Sequence, residues 1–160
     1  MDQPKVGGGV KVVATMLVVG GLAGIGIVIY MAYTFLQQHW IYIVLVAGFG
    51  WLFVWSAITG VRLWRNDPRG WKWAMILFAA QIPVLKVPGF SYEFYTAASI
   101  SLMGGHVEQT LPIALGSNIE LYLDTRITDL VYGANLLAVA VLVYLFRKRT
   151  NPAVHTDGAR

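Results

Sequence analysis

The sequence predicts an all-α membrane protein with four transmembrane helices, both termini cytoplasmic, and a small antiparallel β-meander in the outer loop between helices 3 and 4. Three observations carry that prediction. Hydrophobic residues make up 57% of the 160 and charged residues only 12%, against about a quarter charged in an ordinary soluble domain. Long apolar runs recur along the chain. The cations collect at the ends of those runs, above all between residues 62 and 72, where Arg62, Arg65, Arg69 and Lys72 face one acid, Asp67. Short basic loops stay in the cytoplasm, and Trp and Arg both favour the headgroup region, so this turn sets the orientation of the whole chain.

Each element has its own justification. Residues 1–10, with Gly7-Gly8-Gly9, read as a flexible tail. The first helix, about 12–36, is long enough at 1.5 Å per residue to cross a core of roughly 30 Å with some tilt. Gly20 and Gly24 stand at GxxxG spacing inside it, which lets helix backbones approach closely. Packing within the chain is the expected use, and a homo-oligomer contact is the alternative. The short turn Gln37-Gln38-His39-Trp40 makes the first two helices antiparallel neighbours. The second helix, about 41–61, places Trp51 and Trp55 on one face. They read as packing or lipid-facing bulk, with a stacking wall for a quinone, haem or isoprenoid as the sharper alternative.

The third helix, about 71–87, is short for a crossing, with Lys86 snorkelling and a bend expected at Pro83. The fourth, about 128–146, stops at Arg147-Lys148-Arg149. Gln81 and Asn135 fall at similar depths in these two helices. They are expected to hydrogen-bond to each other; the alternative is a polar lining shared with Ser56 and Thr59.

Between these helices, residues 88–125 change from helical to alternating pattern. Phe90, Tyr92 and Phe94 share a face, and the alternation continues through Thr96, Ala98, Ile100 and Leu102. Gly104-Gly105 then reads as a turn, residues 106–115 as a second strand disturbed by Pro112, and residues 119–124 as a third after Gly116-Ser117-Asn118. A sheet of this size must bury one face on the helices, the lipid surface or a partner.

The chemistry is sparse. Without cysteine the chain has no disulfide, no thiolate nucleophile and no iron-sulfur ligation. The net charge of +4 lies beside apolar runs, which points to anionic lipid at the cytoplasmic face and not to nucleic acid. On the outer side the candidates are His39, Glu93, His106 and Glu108, joined by Glu120, Asp124, Arg126 and Asp129. His106 and Glu108 project to one face if extended, but these spacings follow no metal motif, so neither a metal nor another cofactor is expected. The helix interiors hold no acid apart from Asp129 at an edge, which argues against an intramembrane aspartic peptidase and a proton-coupled transporter.

The functional expectation is therefore a single polytopic domain of a bacterial inner membrane. It would act as a non-catalytic accessory or assembly subunit, docking on another membrane protein through its outer insert and small-residue helix faces. The alternative is a homo-oligomeric channel or carrier for a lipid or small solute, with a membrane-surface enzyme third.

Overall fold

The computed structural model describes residues 7–35, 40–88, 90–105, 111–122 and 130–150. Two long helices come first, α1 (Gly8–Phe35) and α2 (Trp40–Trp64), followed by the short α3 (Pro68–Ala80). Six strands follow: β1 (Pro83–Val87), β2 (Phe90–Tyr95), β3 (Ala98–Gly105), β4 (Ile113–Leu115), β5 (Asn118–Tyr122) and β6 (Val131–Asn135). The last described element is α4 (Leu136–Thr150).

The expectation of an all-α protein with four spanning helices is overturned. Among the described residues only two helical stretches are long and apolar enough to cross a membrane, Gly8–Tyr33 and Val46–Trp64. The third expected span stops as a helix at Ala80 and goes on as β1. Pro83 explains the stop: it has no N–H for the carbonyl four residues back, and its ring drives Ile82 out of helical geometry. It therefore ends the helix where a bend had been expected. The fourth expected span is likewise divided, with β6 in its first part and α4 beginning only at Leu136.

The sheet is no meander inserted between helices. Its order is β4-β3-β6-β1-β2-β5, every neighbouring pair antiparallel. Its two central strands, β6 and β1, come from stretches assigned to helices by the sequence. The alternation read at residues 90–102 does appear, as β2 and β3, but these strands are not neighbours. Gly104 and Gly105 belong to β3.

Chain connectivity forces the sheet to curl. In a flat sheet β2 and β3 would lie three strand spacings apart, roughly 14 Å. They are joined only by Thr96 and Ala97, and three residues span at most about 11 Å. The strands must converge at that end, which gives an open half-barrel. The chain β4–β5 follows the same bend along the outside, so Ala98 lies opposite Leu115 and Tyr95 opposite Asn118. At the bend Ala97 has φ 70° and Gly116 φ 111°, and the Gly116 N–H donates to the Ala97 carbonyl at 2.8 Å. Two left-handed residues facing each other make a corner in both segments at once.

The helices pack through narrow stripes. On α1 the buried positions Val10, Val13, Ala14, Leu17, Gly20, Gly21, Gly24 and Val28 recur at helical spacing. Ala138, Val141 and Leu145 do the same on α4. These stripes meet in one core with Phe53, Leu63, Ala74, Leu77, Phe78 and Phe94. The turn between α2 and α3 is built locally: Asp67 Oδ1 accepts the Arg69 N–H at 2.8 Å as an N-cap, and Pro68 opens the helix. Asn66, at φ 59°, accepts the Trp71 indole N–H at 3.0 Å.

Candidate functional site

The most constructed region is the sheet corner, which is pressed against the middle of α1. Gly20 makes this possible: a Cβ there would lie 2.5 Å from the Ala97 nitrogen and 2.9 Å from the Thr96 carbonyl carbon. The Ser117 hydroxyl closes the joint by donating to the Gly20 carbonyl at 2.6 Å while accepting the Ala97 N–H at 3.3 Å. One side chain thus ties α1, the β2–β3 bend and the β4–β5 bend together.

From the other side Gln81 holds Thr96. Its carboxamide donates to Thr96 Oγ1 at 3.0 Å and accepts the Thr96 N–H at 3.1 Å. Gln81 sits at the C-terminal cap of α3, where its own N–H bonds back to that helix. Both it and Thr96 are 1% exposed, so each bond is made where water is excluded and a missing partner is costly.

Asn135 does not meet Gln81. Its N–H donates to the Ile82 carbonyl at 2.8 Å, and Oδ1 accepts the Ala138 N–H at 3.2 Å and the Ile100 N–H at 3.4 Å. It is the N-cap of α4, also tied to β3. The two amides therefore serve adjacent helix-to-strand junctions and do not bridge each other. Ser99 and Ser101 add a 2.7 Å hydroxyl pair on β3, and the Tyr92 hydroxyl donates to the Ala80 carbonyl at 2.8 Å.

The remaining sequence candidates are distributed along the hairpin and its basic end. Ser56 donates across the hairpin to the Leu17 carbonyl at 3.1 Å. Thr59 Oγ1 is buried and has no partner. Gly24 receives the ring of Phe53, which also meets the Phe94 ring at 5.9 Å, so Gly20 and Gly24 serve contacts within the chain. Trp51 is exposed, whereas Trp55 is half-buried and packs edge-on to Trp73 at 4.8 Å.

Arg62, Arg65, Arg69 and Lys72 flank the α2–α3 turn, and Arg147, Lys148 and Arg149 close α4. These two groups share one end of the molecule. Lys11 lies 5.8 Å from the Trp64 ring centroid, and a Cβ on Gly9 would overlap the Tyr144 hydroxyl, so the start of α1 meets the ends of α2 and α4. Glu93 lies in β2 opposite Glu120 of β5. His39, His106, Glu108, Asp124, Arg126 and Asp129 fall outside the described residues.

Sequence reasoning passed over the corner itself. It places Thr96 in the strand alternation and Ser117 in a turn, and gives Ala97 no role. For Asn135 a signal existed, since an Asn immediately before an apolar run is a helix start. For Ala97 none existed, because alanine rarely adopts positive φ. The class defined by fold and site is an α+β protein: an apolar helical hairpin clamped at mid-length to a curled antiparallel sheet. Compared with known proteins, the chain matches no family model, no curated protein and no solved structure.

Proposed function

We propose that this chain is a non-catalytic accessory or assembly subunit of a bacterial inner-membrane complex, docking through the open edge of its half-barrel. α1 and α2 would form the membrane crossing, with the basic end in the cytoplasm. Lys11 then lies at the headgroups, and Gly20, nine residues further, lies about 13 Å deep, near the middle of a core of roughly 30 Å. The sheet corner sits at that depth, with strands filling the outer half.

The observation that carries the reading is the β4 edge. Bonds from Ser101 N–H to the Pro112 carbonyl and from Gly116 N–H to the Ala97 carbonyl turn alternate residues of β4 toward β3. Ile113 and Leu115 consequently aim their backbone groups away from the sheet, and their side chains are 70% and 86% exposed. Among the described residues no strand pairs with this edge; hydrocarbon cannot satisfy such groups, and open sheet edges are not tolerated against lipid. Another polypeptide covering this edge resolves the conflict. Since Gly20 and Gly24 are occupied within the chain, docking moves from the helix faces to the sheet.

Native mass spectrometry of the protein gently extracted from its own membranes tests this. Release with a second protein at fixed stoichiometry is expected; a chain carrying lipid alone sinks the docking reading. One observation favours the alternative of a homo-oligomeric channel or carrier, namely the buried, unpartnered hydroxyl of Thr59. Cysteines at 56, 59, 81 and 135 that react with a water-soluble reagent would establish a wet path, and protection at all four would remove it.

A further inference from the structure

A groove of about 490 Å³ runs along the outward side of α1, lined by Lys11, Val12, Thr15, Met16, Val19, Trp64 and Ala97. We infer that it holds one acyl chain of an anionic glycerophospholipid, with the headgroup phosphate at Lys11. The inference rests on the membrane placement proposed above and assigns a ligand within it.

The chemistry of the walls is graded along the groove. Lys11 stands at one end, its ammonium 5.8 Å from the Trp64 ring centroid. Thr15 contributes no free hydroxyl, because Oγ1 donates to the Lys11 carbonyl at 2.9 Å. From there to Ala97 the lining is hydrocarbon. Lys11 to Val19 covers about 12 Å of helix rise, close to the depth of one leaflet's hydrocarbon. Val12 and Val19 are exposed, so the groove opens sideways to where lipid would enter. A cation at the headgroup level and an open apolar track below it complement one end and one tail of an anionic lipid. A partner helix would have to fill the track and also bring a carboxylate to Lys11, whereas an anionic lipid carries both features in one molecule.

The test uses the full-length protein in nanodiscs of phosphatidylglycerol and phosphatidylcholine in equal parts, with tightly held lipid counted by native mass spectrometry. The wild type should retain one phosphatidylglycerol per chain with a preference of about fivefold. Lys11→Arg should keep that preference and Lys11→Gln should abolish it while still retaining one lipid of either kind. Met16→Trp, which fills the track, should retain none, and circular dichroism confirms that each variant is helical. Equal retention of the two lipids by the wild type, unchanged preference in Lys11→Gln, or undiminished retention in Met16→Trp would each overturn the site. So would a co-purified polypeptide that cross-links from position 16 in place of lipid. A chain that fails to enter nanodiscs overturns the membrane placement itself, whereas entry without selective lipid overturns only this site.

Discussion

At the scale of single residues, the corner concentrates the energetic stakes. Gln81→Leu strands both the N–H and the Oγ1 of Thr96 in a buried site, at about 1–3 kcal/mol for each orphaned group. A clear drop in unfolding midpoint is expected. In double-mutant cycles Gln81 should couple more strongly to Thr96 than to Asn135, its neighbour only through the Ile82 backbone; the reverse order would contradict the bonding described. Ala97 offers the opposite sign. Its φ of 70° is unfavourable for a residue with a Cβ, by about 1–2 kcal/mol. Ala97→Gly should therefore raise the midpoint or leave it unchanged, while Gly20→Val, driven into the Thr96–Ala97 backbone, should lower it.

Elements are decided by their ends. Helix α4 starts where Asn135 offers an acceptor to the Ala138 N–H, and Asn135→Ala should cost about 1–2 kcal/mol. Hydrogen exchange should show the loss first at the amides of residues 136–139; uniform loosening of the whole helix would argue against a capping role. Helix α3 stops before Pro83, although the apolar run continues. Hydropathy measured over this stretch cannot distinguish helix followed by strand from a single span, because both bury the same kind of side chain. The Pro, the β-branched Val84 and Val87, and the Asn before Leu136 were the available signals. Pro83 was read as a bend and Asn135 as an amide within a helix, instead of as boundaries.

For the whole molecule, the prediction concerns depth. The natural chain has no cysteine, so single replacements report cleanly. In open membrane fragments Arg69→Cys should react with a charged maleimide, and Leu115→Cys should be protected until the protein is denatured. Rapid reaction at position 115 would place the corner in water and remove the conflict that motivates docking. The arrangement also explains why α3 and α4 are short. They reach only as far as the corner, and β1 and β6 continue from Ile82 and Asn135, which are hydrogen-bonded to each other through the backbone.

The sequence by itself determined the apolar hairpin α1–α2, the basic turn after it at residues 62–72, the gathering of cations beside apolar runs, and the alternation of β2. All of these depend on neighbours in the chain: composition, helix and strand period, and capping residues act within a few positions. Only the tertiary structure decided that β1 and β6 are strands, that the sheet curls, and that its corner rests on Gly20. Those outcomes depend on partners distant in sequence. Ser117 lies 97 residues from the carbonyl it binds, and the pairing of β6 with both β1 and β3 satisfies backbone groups that local pattern had given to helices. An apolar stretch pays no penalty in hydropathy for either choice, so the hydrogen-bond partner available in space makes it.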